Sequence, residues 1–343
     1  MLVRHSETNL TKNNEIYIKA PTRVDLSGGT LDIWPLSCFF ENSKTINFAI
    51  DGYVEIKIKI TKSNFAIIDK GKILKLKNLG DLKNSKYRLY YYALSFFKSL
   101  KGIEIEIKNM PPKMSGLGGS SALLISLLKG LFFLFNIKQT NKNLIFLSRD
   151  IEAKNMLYPT GTQDFYPPLY GGILCINYQL GEEKFEKLKG IEKIKDILLI
   201  YNTGIEHHSG SQNFEVFKEV IEKKDGKVWK NLKEIAKITN EMYEMFKIQN
   251  FKKIGKLMCM EWDLRKELSP SFNHPEIDKA IEVGKKNGAF GWKPCGAAGG
   301  GSIAFFVKKE KKEILKDKLN LLGGTVLPYN ITGKGFEINY ANR

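Results

Sequence analysis

Charged and apolar residues alternate from Tyr53 to Ile60 (YVEIKIKI) and from Ile103 to Ile107 (IEIEI). A period of two is what a strand needs when one face is buried and the other meets water, so both stretches are expected to be half-buried antiparallel strands. Residues 16–26 (IYIKAPTRVDL) open on the same alternation until Pro21, which predicts a strand leading into a loop. Between Ser120 and Phe135 the pattern changes to SALLISLLKGLFFLF, apolar without alternation and preceded by a glycine-rich string, as for a buried helix. A second helix is expected over residues 143–155, and LYGGILCINY from Leu169 reads as a strand after a proline-containing turn. Beyond the apolar run at 197–203, residues 211–224, 230–248 and 277–287 repeat apolar positions with helical spacing. Residues 302–307 and 323–331 read as strands around a lysine-rich helix at 308–318. The change of pattern near residue 200 divides the chain into an N-terminal domain, 1–200, and an α+β C-terminal domain, 201–343.

Composition changes this picture little. A chain of 343 residues fits two domains of ordinary size, and 43% hydrophobic with 27% charged residues is globular composition. No stretch approaches the roughly 20 apolar residues of a membrane span, and the polar segment Met1–Glu15 lacks the apolar core of a secretory signal. A soluble, cytoplasmic protein without a membrane partner is therefore expected. Cys38, Cys175, Cys259 and Cys295 lie far apart, without metal-ligand spacing, and are read as reduced and mostly buried. The net charge of +17 favours anionic ligands. The excess is mainly scattered lysine without an arginine and aromatic stripe, so no nucleic-acid partner is expected.

The string PPKMSGLGGSSALL carries the most chemistry. Gly116, Gly118 and Gly119 permit positive φ angles and close approach of backbone N–H groups, while the helix that follows offers unpaired N–H donors and a partial positive charge to phosphate oxygens. Ser120 and Ser121 add hydroxyls able to meet Mg²⁺ or phosphate; a glycine-rich turn with serine caps is the alternative. The string lacks the lysine of a Walker A loop and the spacing of a dinucleotide fold.

GLGGSSA resembles the phosphate-binding motif of the GHMP kinases, and two further stretches resemble that family: APTRVDLSGGTLDIWPL from Ala20, and WKPCGAAGGGSIAFFV from Trp292. The resemblance implies an α+β, two-domain fold, with a left-handed βαβ-type phosphate loop in the first domain and a ferredoxin-like second domain. It implies an ATP- and Mg²⁺-dependent kinase, with Pro112, Ser115, Gly116, Leu117, Gly118, Gly119, Ser120, Ser121 and Ala122 around the nucleotide. It further implies that Ser121 and Glu152 serve the metal, that Asp164 sits beside the acceptor hydroxyl, and that Arg23 stabilises charge in phosphoryl transfer. Asp32 matches a residue that binds substrate hydroxyls, and Gly28, Gly29, Thr30, Gln163, Gly299 and Gly300 are expected around the same acceptor. Lys293 is a possible phosphate contact.

Within the family, GGTLDIWP, GTQDFYPPLYGG and NHPEIDKAIEVGKKNGAFGWKPCGAAGGG look most like the branch of D-glycero-D-manno-heptose 7-phosphate kinase and the fucokinases. That branch implies a sugar or sugar-phosphate acceptor phosphorylated at its anomeric hydroxyl, by a monomer or homodimer. The chain has GGTLDIW where a GGGTD arrangement is common, and GAAGGG where GAGGGG is common. Other sugars, a mevalonate-type alcohol, or a binding module without catalysis are the alternatives. His207, His208, Ser209, Ser211 and Gln212 form a donor cluster able to hold a sugar phosphate, with a helix cap as the plain alternative.

Overall fold

The computed structural model describes residues 14–97, 100–205, 209–296 and 301–340, with the backbone alone at 209–211. The first part of the chain carries β1 (Glu15–Ser27), β2 (Lys44–Ile60), β3 (Phe65–Asp69), β4 (Lys72–Leu76), β5 (Ile103–Asn109), β6 (Ile173–Gln179) and β7 (Glu182–Leu188). Its helices are α1 (Leu36–Phe39), α2 (Arg88–Ser95), α3 (Gly119–Leu134), α4 (Asn141–Met156), α5 (Tyr166–Tyr170) and α6 (Ile191–Ile197). The second part carries β8 (Leu198–Asn202), α7 (Ser209–Glu222), α8 (Lys227–Lys247), α9 (Phe251–Arg265), α10 (Pro275–Lys286), β9 (Ala289–Pro294), β10 (Ser302–Val307), α11 (Lys312–Asn320) and β11 (Thr325–Leu327), before β12 (Glu337–Tyr340) ends the described chain.

The strands form two sheets. In the first, the order β12-β1-β2-β5-β3-β4 is extended by β6, which pairs with the other end of β2, and by β7 on β6. β2 is long enough to serve both neighbours: Glu55–Ile60 pairs with β5 and Lys44–Phe48 with β6, each antiparallel. β2 and β5 thus pair antiparallel as expected, while β5 also pairs in parallel with β3, a strand the sequence reading did not place. The second sheet has the order β11-β8-β10-β9, which is the 4-1-3-2 arrangement of a β-α-β-β-α-β ferredoxin-like unit. The expected boundary at residue 200 falls inside β8, and β12 crosses back to pair with β1.

Several elements differ from the sequence reading for identifiable reasons. β1 does not stop at Pro21; it continues to Ser27 across a register shift between Ala20 and Thr22, because a bulge accommodates a residue with no N–H to pair. Leu169 lies in α5, whose prolines occupy its first turn, and the strand begins only after Gly171 and Gly172. Helix α9 went unread because its buried face carries Glu261 and Arg265 among its apolar residues.

The apolar faces meet in three clusters. α3 packs with α2 and α4 against the first sheet, where Ile16, Ile56 and Leu127 are fully buried. A second cluster joins Leu31, Ile33 and Leu36, just past β1, to α8, α10 and β10. The third contains Val24 and Phe48 of the first sheet together with Ile200, Phe306 and Met258. Both sheets therefore share one core, which fixes β1 and its following loop against α9 and β9. Among the described residues no helix is long and apolar enough to cross a membrane.

Candidate active site

The loop between β5 and α3 lies at the floor of a cleft of about 1230 Å³. Gly116 has φ +73, and a Cβ there would stand 2.4 Å from the Cys295 carbonyl oxygen, so only glycine lets the loop touch the chain just past the end of β9. The Ser302 N–H donates to Ser115 O (2.8 Å) and the Arg23 N–H to Leu117 O (3.0 Å), which ties the loop to β10 and to β1. Gly118 begins α3 in the left-handed region and no side chain caps this end. The first-turn N–H groups of a 16-residue helix are thus left for a ligand in the cleft.

Pro112, Ser115 and the run from Gly116 to Ser121 line the cleft, as do Arg23, Gly29, Thr30, Asp32, Glu152, Gln163 and Asp164. Two expected residues stand off it. Ala122 is fully buried in the first turn of α3, and Gly28, at the start of the turn before Asp32, packs against the Lys44 carbonyl. His208, Gly299 and Gly300, with His207, lie outside the described residues. Gln212 of the same cluster donates its amide to Ser271 O (2.9 Å).

Sequence-distant groups converge in the middle of the cleft. Arg23, only 4% exposed, donates Nε–H to Asp164 Oδ1 (2.8 Å) and Nη2–H to Oδ2 (2.6 Å), and its Nη1–H to the Gly116 carbonyl. Burial opposes the guanidinium charge, yet Asp164 and Asp25 outweigh it and hold Arg23 well above its ordinary pKa. Asp164 is thus a carboxylate locked in a two-pronged pair, with its outer surface open to the cleft.

Glu152, on α4, accepts from Ser121 Oγ at 3.1 Å and from Thr160 Oγ1 at 2.8 Å. Burial, then the neighbouring Asp164, push its carboxyl up to about 7. A serine hydroxyl and a carboxylate beside an anion-binding helix terminus are hard oxygen donors of the kind Mg²⁺ takes when phosphates and water complete its shell.

Asp32 lies at the far side, 7% exposed, and accepts from the Gln163 N–H at 3.1 Å. Gly161 makes room for it: a Cβ at residue 161 would come within 1.7 Å of Asp32 Oδ2. Burial pushes this carboxyl up to about 7. Gln163 Oε1 is buried and without a hydrogen-bond partner among the described residues. Thr30 Oγ1 and Asn213 complete this end, bonded to each other at 3.1 Å. The opposite end of the cleft is lined by Tyr87, Leu89, Tyr90, Ile107 and Met110, with Lys70, Lys86 and Lys108 around it. None of this apolar end was read from the sequence; the aromatic run at 87–92 was the available signal.

Lys293 is no phosphate contact. It is fully buried, donates to Asp25 Oδ2 at 2.5 Å and lies 3.7 Å from Glu261 Oε2. Burial raises the Asp25 pKa, but Lys293, Arg23 and Arg265 outweigh that effect and pull it down to about 2. Glu261 pairs in turn with Arg265 (2.6 Å), four residues later on α9. Cys38 also departs from expectation, since it is exposed, while Cys175 and Cys295 are buried.

The cleft therefore offers an apolar slot at one end, a phosphate cradle and two hard-oxygen ligands in its middle, and a carboxylate and amide group for hydroxyls at the other. Family models of the GHMP kinases match the chain twice, the N terminal domain over residues 85–172 and the C terminal one over residues 232–323. The chain is 30% identical over 324 residues to a mevalonate kinase of Methanocaldococcus jannaschii, covering 88% of this chain and 95% of the relative. It is 24% identical over 339 residues to the D-glycero-alpha-D-manno-heptose 7-phosphate kinase of Campylobacter jejuni, covering 93% and 97%. The crystal structure of the Methanococcus jannaschii mevalonate kinase superposes with a TM-score of 0.72 at 25% identity, covering 95% of this chain and 100% of that one.

Proposed function

The chain belongs to the GHMP kinases, ATP-dependent phosphotransferases acting on the hydroxyl groups of sugars or mevalonate, and we propose that its own acceptor is a sugar or sugar phosphate, phosphorylated at the anomeric hydroxyl. The observation that carries this reading is the set of groups at the acceptor end. Asp32, Asp164 and Gln163 Oε1, which has no partner among the described residues, are acceptors suited to several hydroxyl donors. Among the described residues the two arginines there are already paired, Arg265 to Glu261 and Arg23 to Asp164. An acceptor carrying its own carboxylate would meet Asp32 and Asp164 at close range, and like charges in a buried site are unfavourable. A relative that phosphorylates a heptose 7-phosphate supports the same class. The 30% identity to a mevalonate kinase favours the second reading, a mevalonate-type alcohol.

In the mechanism, the N–H groups at the start of α3 hold the nucleotide phosphates, and the slot at Tyr87 and Tyr90 receives the base. Ser121 and Glu152 would hold Mg²⁺, which when bound shields the charge of the transferring phosphoryl group. Asp164 accepts a hydrogen bond from the acceptor hydroxyl and orients its oxygen for in-line attack, and it is placed to take the proton as the new bond forms. Arg23 keeps Asp164 in that orientation and faces the same space with positive charge. A methyl glycoside tests the reading: the reducing sugar is phosphorylated to a product labile in mild acid, and its methyl glycoside is not. Equal turnover of the glycoside would place the reaction at another hydroxyl.

Asp32 gives a pH dependence. Its folded-state pKa near 7 lies above that of an ordinary carboxylate, so the folded protein holds a proton the unfolded chain has released. The free protein accordingly loses stability as pH rises from the carboxylate range to about 7. A sugar hydroxyl donates more strongly to the ionised form than to the carboxylic acid, so acceptor KM is expected to fall several-fold between about pH 6 and 8. Asp32→Asn flattens that profile and raises KM throughout. A wild-type acceptor KM that is level across this range would remove Asp32 from the sugar contacts.

A further inference from the structure

A buried ionic chain runs behind the acceptor end of the cleft, through residues that no part of the phosphoryl transfer uses. Arg265, 1% exposed, donates from each of its three guanidinium nitrogens to a fixed partner. Nε–H and Nη2–H go to Glu261 Oε1 at 2.9 and 2.6 Å, Nη2–H also to the Gly29 carbonyl at 2.7 Å, and Nη1–H to Thr30 Oγ1 at 3.2 Å. The far side of Glu261 faces Lys293, which pairs with Asp25. Asp25 Oδ1 accepts the Gly296 N–H at 2.7 Å, and Gly296 packs on Gly116, whose carbonyl accepts from Arg23. Four alternating charges thus connect the loop before Asp32 to the phosphate loop, and they come from β1, α9 and β9.

The loop needs such a tie. Thr30 has φ +76, and a β-branched residue in the left-handed region is strained unless its surroundings hold it there. The two contacts from Arg265 and the bond to Asn213 are what hold it. The turn it makes is closed by Leu31 N–H to Gly28 O (3.1 Å) and Ile33 N–H to Thr30 O (3.2 Å), so its geometry sets where the Asp32 carboxylate stands.

We propose that Arg265, oriented by Glu261, is a positioning residue that sets acceptor affinity by clamping the Gly29–Thr30 turn from the C-terminal domain. This rests on the acceptor binding beside Asp32. The fork of a guanidinium makes the assignment specific to arginine, since an ammonium group on a shorter reach serves Glu261 or the turn, not both with the same geometry.

The test compares wild type, Arg265→Lys, and the double variant Arg265→Met/Glu261→Gln, in which neither member is left as an unpaired buried charge. Nucleotide affinity is read by displacement of a fluorescent nucleotide, acceptor KM by ADP release, and folding by thermal melting. Arg265→Lys is expected to raise acceptor KM about tenfold while leaving nucleotide affinity as in wild type. The double variant is expected to melt close to wild type and still show the raised KM. A purely structural ion pair predicts instead that restoring the melting temperature restores KM, and that result in the double variant overturns the proposal. So does a folded Arg265→Lys with wild-type acceptor KM. Failure of the sugar reading would appear separately, as a wild-type enzyme with no sugar turnover in the same assay.

Discussion

Asp164→Asn is expected to bind nucleotide like the wild type and to lose about three orders of magnitude in kcat. The wild-type carboxylate uses each oxygen for one Arg23 donor, at 2.8 and 2.6 Å. An amide supplies one acceptor and one donor to the same fork, so one guanidinium N–H meets an N–H and the side chain turns away. The charge that polarises the acceptor hydroxyl goes with it. The fold survives, because Arg23 keeps its bond to the Gly116 carbonyl and the charge of Asp25 nearby. The proposed nucleotide contacts lie on the α3 side and are untouched. Turnover and nucleotide displacement measured on one preparation check this, and normal turnover would take Asp164 out of the mechanism.

Lys293→Met is expected to give the largest loss of stability in the molecule. Removing one partner from a fully buried ion pair costs about 3 to 5 kcal/mol, because the remaining charges stay desolvated. Here two carboxylates are affected, Asp25 and Glu261, both buried. Asp25 gives the loss a pH signature. In wild type its pKa is held at about 2, so its contribution is present above the ordinary carboxylate range and fades as pH falls toward 2. Without Lys293 the main force opposing its desolvation is gone, its folded pKa rises, and protonation at low pH relieves the variant. The deficit in melting temperature is therefore expected to be large at pH 8 and to narrow toward pH 5. A variant that melts like wild type at pH 8 would show that the chain of charges contributes nothing to the fold.

The sequence exposed those parts of the site that are local. The glycine string before α3 offered a phosphate cradle, with a serine-capped turn as the alternative, and the resemblance to the GHMP kinases singled out Glu152 and Asp164 after it. The alternation in β2 and β5 and the apolar run of α3 also placed most of the first domain's core. What stayed hidden depends on partners far apart in the chain. Asp25 and Lys293 are separated by 268 residues, and a lysine in a glycine-rich segment reads as a ligand contact until its partner is seen. Glu261 and Arg265 sit four apart on one helix, a spacing that reads equally as a solvated surface pair. A readable signal was present, since Met258 and Trp262 on the same turns are large apolar residues that the core claims. The apolar slot was missed for a different reason: its lining is collected from a loop, a helix and a strand edge, and no periodicity joins them.

The most direct test of the account is ADP release from ATP and Mg²⁺ with a panel of free hexoses, heptoses, their terminal phosphates, and mevalonate, run side by side on the wild-type protein. The account predicts turnover of a reducing sugar or sugar phosphate, with mevalonate silent. Turnover of mevalonate with no sugar accepted would contradict it, and would mean that Asp32 and Gln163 do not read the acceptor.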